Sequence, residues 1–168
     1  SMSITEERKE KVAFSNKYYS TPAKFVRMKG SGIEVSAAGL KGKSVGVQRA
    51  TIHENFLKDN YGDTIDIKGY GTQDEAYLDF TAGRIDLLLA DSVALDDGFL
   101  KTDAGKDAEF VGPGYSDPQW FGDGAGIAIR KGDMDLQKLL NDAIAAIRAN
   151  GTYKMINDKY FEFDVYGG

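Results

Sequence analysis

Cysteine is absent from the chain. That excludes a disulfide framework, a cysteine-ligated zinc or iron–sulfur site and a thiolate nucleophile, and it leaves cytoplasm and bacterial periplasm equally open. A basic excess is lacking too: 21 Lys and Arg face 26 Asp and Glu, a formal charge of −5, which argues against nucleic acid or an anionic membrane as partner. His53 is the single histidine, and metal or general-base chemistry built on it would need partners that the sequence does not reveal. No Walker A motif and no Gly-x-Ser-x-Gly elbow occurs. Long apolar runs are missing; the strongest, residues 85–90, already contains Asp86, so no transmembrane helix is available. Residues 1–11 are polar and charged and do not read as a signal peptide. Nothing in the sequence calls for a cofactor.

What is present suits a soluble globular protein. With 168 residues, 42% of them hydrophobic, the chain can bury roughly 70% of the surface its unfolded form exposes, enough for one or two small domains. Glycine is abundant, 20 residues against 3 prolines, which promises many tight βα and αβ turns. Residues 44–48, Ser-Val-Gly-Val-Gln, read as a short buried strand, and Thr51 with Glu54 three residues later forms a capping box opening a helix to about Asn60. Another strand spans 65–67. Thr72 with Glu75 makes a second box, Ala76, Tyr77 and Phe80 share one helical face, and Gly83 supplies the left-handed stop. Residues 85–90 then read as a strand covered on both faces. Strands and helices alternating at this pitch imply βαβ units closing a parallel sheet. Two amphipathic helices follow at 135–150 and 152–161, the first carrying Leu136, Leu139, Leu140, Ala143, Ile144 and Ile147 at i, i+3, i+4, i+7 spacing.

Candidate chemistry collects at the ends of these strands. Residues 122–126, Gly-Asp-Gly-Ala-Gly, lack the strand before and the helix after that a dinucleotide fingerprint requires, because a strand at 127–129 follows; a turn or a hinge is the better account. Asp91 stands directly beyond the carboxyl end of the strand 85–90, where open α/β sheets bind ligands, and there it suits either a ligand ammonium or the N-cap of a following helix. The turn of residues 49–53 lies beyond another strand end and opens a helix, so its free N–H groups and the helix dipole favour an anion such as a carboxylate; an ordinary capped turn is the plain alternative. An anion site and an aspartate at one sheet edge together match an α-amino acid zwitterion.

At this point the residues resemble a known family. Residues 1–8, Ser-Met-Ser-Ile-Thr-Glu-Glu-Arg, with Phe14-Ser15 and Tyr18-Tyr19, are similar to the opening segment of polar amino-acid periplasmic binding proteins of ABC importers. The resemblance continues through the motifs at 40–48, 79–86, Asp91, 121–124, 129–131, 151–153, 159–161 and Tyr166-Gly167, and it leans to the lysine/arginine/ornithine- and histidine-binding branch with its opine-binding relatives. It implies an α/β, type II periplasmic-binding-protein-like fold: two lobes joined by two crossing strands that close on ligand by a hinge. It also implies that Arg8 clamps the ligand carboxylate, aided by Ser3 and by main-chain N–H groups near Thr51 and Ile52, and that Asp91 binds the ammonium. Ser1 falls at a ligand-bonding position, and Gln48 and His53 fall where the second lobe faces the ligand side chain. Ile52 departs from the pattern, since a hydroxyl residue is common there.

By the same resemblance, residues 29–126 form one complete βα lobe, and residues 1–28 with 127–168 form the remnant of an incomplete one whose opening part would precede Ser1. The expected function is a solute-binding component for a basic amino acid or opine, periplasmic, without catalysis, partnered by its ligand and an ABC permease and not by nucleic acid. Alone, this chain is expected to bind weakly or not at all, and its apolar flanks to pair with a second copy as a domain-swapped dimer. A dehydratase acting on prephenate-like acids and a ligand-sensing receptor module are the alternatives on this scaffold.

Overall fold

The structure, a computed structural model, describes residues 2–167. In chain order it comprises β1 (Met2–Ser3), α1 (Glu6–Lys9), β2 (Ala13–Phe14), β3 (Ala23–Met28), β4 (Ser44–Gln48), α2 (Ile52–Tyr61), β5 (Asp66–Tyr70), α3 (Gln73–Thr81), β6 (Leu87–Asp91) and α4 (Ser92–Leu95). A π-helical turn, Asp96–Leu100, continues α4, and β7 (Ala108–Tyr115), α5 (Pro118–Phe121), β8 (Ala125–Gly126), β9 (Ala128–Ile129), α6 (Met134–Ala149) and α7 (Thr152–Tyr160) complete the chain. Two compact units result: a sheet unit, Pro22–Ser116, and a flanking unit made of the residues before and after it. The sequence expectation set the divisions after residues 28 and 126; here they fall after Thr21 and Ser116, because β3 lies inside the sheet, hydrogen-bonded to β6 on one side and β7 on the other.

In the sheet unit five strands run in the order β5-β4-β6-β3-β7. β4 pairs parallel with β5 and β6, as βαβ units require, but β3 and β7 are antiparallel, so the sheet is mixed and the expectation of a parallel one is corrected. Neither added strand has a crossover helix to announce it. The ladder between β3 and β7 slips between Ala23 and Phe25, which face Tyr115 and Val111 across the Gly112-Pro113-Gly114 bulge.

β6 is the centre of the core. Leu87, Leu88, Leu89 and Ala90 are all buried, and period-2 alternation divides them between two faces. Leu88 and Ala90 pack with Ala76, Tyr77 and Phe80 of α3 and with Leu95 and Phe99. Gly46 lets β4 pass close to Ile85: a Cβ there would stand 2.3 Å from Ile85 Cδ1, so a larger residue would require the Ile85 side chain to shift. Capping follows the sequence closely at α3, where Thr72 and Glu75 form the reciprocal box. Its end is a Schellman motif, with Gly83 at φ 70°, the Gly83 N–H on the Phe80 carbonyl and the Arg84 N–H on that of Asp79.

In the flanking unit β1 pairs with β8 and β2 with β9 as short antiparallel ladders. Residues 122–124 form the turn between α5 and β8, and Ala125 and Gly126 are β8 itself, so a helix precedes the glycines and a strand follows them. Gly122 sits at φ 70°, and a Cβ there would lie 2.1 Å from the Ile4 carbonyl oxygen, which itself accepts the Asp123 N–H. Asn157 is buried and satisfied: its amide donates to the Phe163 carbonyl at 2.9 Å and accepts the Val165 N–H at 3.0 Å. Of α6 only Ile144 is buried, while Leu136, Leu139 and Ile147 are exposed, as are Ile156 and Tyr160 of α7.

Gly122→Ala is expected to cost about 1–3 kcal/mol of unfolding free energy, from strain at positive φ and the clash with Ile4. Gly132→Ala, where a Cβ meets nothing within 4 Å, should stay within about 0.5 kcal/mol. Denaturant titrations giving the two variants equal midpoints would contradict this.

Candidate functional site

All five strands of the sheet unit end or begin along one edge, and most of the candidate residues sit there. β4 and β6 run parallel in the register Val45↔Leu87 and Gly46↔Leu88, so Gln48 and Asp91 finish at the same carboxyl edge. Asp91 is also paired with Ala23, the first residue of β3, which in turn faces Tyr115, the last of β7.

The turn after β4 is best described by where its N–H groups go. Arg49 donates to the Tyr70 carbonyl at 2.9 Å, and Ala50 donates to Glu54 Oε2 at 2.7 Å. Thr51 caps α2: its Oγ1 accepts the Glu54 N–H at 3.2 Å and donates to the Gln48 carbonyl at 2.7 Å. The expected box is thus half present, because Glu54 reaches back one residue further than the cap. Among the described residues, no acceptor meets the main-chain N–H groups of Thr51 and Ile52. Two amides at the start of a ten-residue helix, with its dipole behind them, are what an anion needs.

Ala50 lies in the left-handed region, φ 57°, a conformation that costs a non-glycine residue about 1–2 kcal/mol. It turns the chain abruptly from strand into helix, and no motif in the sequence announces it. Glu54 braces the turn. Its carboxyl is held below the usual carboxylate range, first by the Lys58 ammonium at 2.8 Å and then by the Ala50 N–H, against partial burial.

Asp91 closes β6 and caps α4, its Oδ1 accepting the Val93 and Ala94 N–H groups at 2.9 and 3.1 Å. The capping alternative is therefore realised, and both cap bonds fall on one oxygen. His53 is half-buried in the first turn of α2, and the Gln48 amide donates to the Gly71 carbonyl at 3.4 Å.

The remaining candidates belong to the flanking unit. Thr5 caps α1, and Arg8 folds back so that Nη1 donates to the Ser3 carbonyl at 3.1 Å. The acidic neighbour Glu6 is taken by Lys9 at 2.6 Å, and among the described residues no carboxylate pairs with Arg8. Its half-buried guanidinium keeps donors in the fork geometry that suits a carboxylate. Ser1 lies outside the described residues. No group of three or more acidic or histidine side chains able to hold a metal occurs among the described residues, and none of their helices is long and apolar enough to cross a membrane.

A family model for bacterial extracellular solute-binding proteins, family 3, matches residues 1–163. The chain belongs to this family. It is 52% identical over 168 residues to the L-arginine-binding protein of Pseudomonas aeruginosa, covering 99% of this chain and 65% of that protein. It is 46% identical to the histidine-binding periplasmic protein of Salmonella typhimurium, covering all of this chain and again 65% of the relative. An ancestral arginine-binding protein solved with bound arginine matches with a TM-score of 0.83 at 34% identity, over 95% of this chain and 69% of that one. The chain therefore spans about two-thirds of the length of the relatives it matches, and its mixed α/β architecture is part of the type II periplasmic-binding-protein fold. Both of these relatives are named for the amino acid they bind.

Because Glu54 has a lowered folded pKa, its contribution is present above the unfolded carboxyl value and is lost as pH falls through the folded one. Glu54→Gln is expected to lower the thermal midpoint at neutral pH, with the difference shrinking below about pH 4. A midpoint difference independent of pH would show that the charge does not matter.

Proposed function

We propose that this chain carries ligand-binding residues of the periplasmic solute-binding component of an amino-acid ABC transporter, with a basic amino acid or an opine as ligand and the membrane permease as partner, and that it catalyses nothing. The observation that carries the reading is the edge of the sheet unit, where two unpaired amides at a helix start and a strand-end aspartate offer complements to both charges of a zwitterion. Thr51 and Ile52 take carboxylate oxygens through their main-chain N–H groups. Ile52 brings no hydroxyl, so its contribution is the amide alone. Asp91 takes the ammonium through a charge-assisted bond. Gln48 and His53 face the ligand side chain. In the flanking unit Arg8, steadied by the Ser3 carbonyl, offers a bidentate fork for a carboxylate, and Ser3 and Ser1 add polar contacts. The arginine- and histidine-binding relatives support the choice of ligand class.

Titration of the labelled chain with L-arginine tests this. Millimolar ligand is expected to shift the Thr51 and Ile52 amide resonances saturably, with Asp91→Asn abolishing the response. No saturable shift at either amide would refute the assignment, and micromolar or tighter binding by a proven monomer would refute the expectation that this chain alone binds weakly.

Self-association belongs to the same proposal. Leu136, Leu139 and Ile147 form an exposed stripe on α6, and a second copy is proposed to cover it. Light scattering should find a concentration-dependent dimer that Leu139→Lys dissolves; a monomer at every concentration would contradict it.

A further inference from the structure

Asp91 does not hold its own position. The cap it makes is only as fixed as α4, a single turn of four residues, Ser92–Leu95, that runs straight into the π-helical turn Asp96–Leu100. A helix this short has little stability of its own and must be held from outside.

Two bonds hold it. On the strand side the Ser92 N–H donates to the Pro22 carbonyl at 2.9 Å. On the core side Tyr77 of α3 sends its hydroxyl to the Ala94 carbonyl at 3.3 Å. Ala94 is thus gripped at both ends of its backbone, its N–H by the Asp91 carboxylate and its C=O by Tyr77. The Tyr77 ring is fixed in turn. It stacks on Phe99 of the π-helical turn with centroids 4.6 Å apart and planes 18° from parallel, and Phe80 closes on Phe99 edge-on at 5.7 Å.

Tyr77 has no need of a hydroxyl for this packing. Its ring belongs to a buried apolar cluster that phenylalanine would fill as well, so the oxygen is there to make a polar contact. Burial, more than the nearby Asp74 charge, pushes the hydroxyl up to about 12, which keeps it protonated and a donor at any physiological pH. Gln73, one turn earlier on α3, points its amide at the same place: Nε2 is buried without an acceptor in hydrogen-bond geometry, beside the Tyr77 hydroxyl. A slight approach would let Gln73 donate to the Tyr77 oxygen while Tyr77 donates to Ala94, a two-bond relay from α3 to the cap.

We infer that Tyr77 is a positioning residue for the Asp91 carboxylate, acting through Ala94, with Gln73 oriented behind it. The inference rests on the proposal that Asp91 takes the ligand ammonium, but its first test does not. Loss of one buried hydrogen bond is worth about a factor of five to ten in the local opening equilibrium. In Tyr77→Phe, amide hydrogen exchange at Val93 and Ala94 is therefore expected to quicken by about that factor, while the core amides of Val45 and Leu57 keep their rates. Unchanged exchange at Val93 and Ala94 overturns the inference.

The second test uses two probes, L-arginine and its deaminated counterpart δ-guanidinovalerate, on the full chain. Tyr77→Phe should weaken the response to L-arginine severalfold and leave that to δ-guanidinovalerate unchanged, so the ratio of the two moves; a merely structural role would weaken both alike and would overturn the inference. Asp91→Asn separates the two ideas. If it leaves L-arginine binding unaltered, the ammonium assignment fails, whereas the exchange result at Val93 and Ala94 still decides the role of Tyr77 in holding the cap.

Discussion

The strand-end aspartate of the sheet unit depends on one strand. β6 is hydrogen-bonded along both edges, parallel to β4 and antiparallel to β3, and its apolar residues are buried on both faces. A strand enclosed in this way cannot slip by one residue without turning Leu88 and Ala90 away from α3, so its register is fixed and the place where it ends is fixed with it. Asp91 is the first residue past the enclosed stretch. That burial fixes where the strand ends, while the carboxylate itself is held through α4, by the Ser92 N–H on the Pro22 carbonyl and the Tyr77 hydroxyl on the Ala94 carbonyl.

The turn after β4 shows the opposite economy. Here the backbone is strained at Ala50, and the strain is held by polar contacts at the surface: the Arg49 amide on β5, the Glu54 carboxylate on the Ala50 amide, and Lys58 on Glu54. Strained backbone persists only where its surroundings over-determine it. Among the described residues no acceptor meets the Thr51 and Ile52 amides of that turn, and the proposed function gives them an anion. The end of β6 and this turn are thus placed by different physics, one by burial and one by a bracing network. The proposed function joins them in one role.

Much of this was legible in the residues. Caps at Thr51 and Thr72, the stop at Gly83 and the apolar run ending at Ala90 located three strands and two helices, because short-range chemistry decides them. The two added strands were not legible. β7 carries Gly112, Pro113 and Gly114, which argue against a strand, and β3 mixes Lys24 and Arg27 with its apolar residues; only partners distant in sequence make strands of them. The compact units divide elsewhere than the expected lobes for the same reason, since β3 enters the sheet before any local signal marks a domain. Of the candidate site, Asp91 and Thr51 are reached from motif and position and Arg8 from the resemblance, while the left-handed Ala50 and the polar roles of Tyr77 and Gln73 leave no trace, because positive φ and the direction of a buried hydroxyl are properties of packing.

The bulge in β7 has one more consequence. β7 is an edge strand of the sheet, and edge strands recruit further strands from other molecules. At Gly112-Pro113-Gly114 the ladder is out of step, and Pro113 has no N–H to offer, so the outer rim presents a broken row of donors. The opposite rim, β5, carries Asp66 and Lys68 joined by an ion pair and leaves Gly69 without a side chain to grip. Both margins are therefore poor templates for cross-β growth, and the sheet is capped at its present width by the same residues that hid its outermost strand.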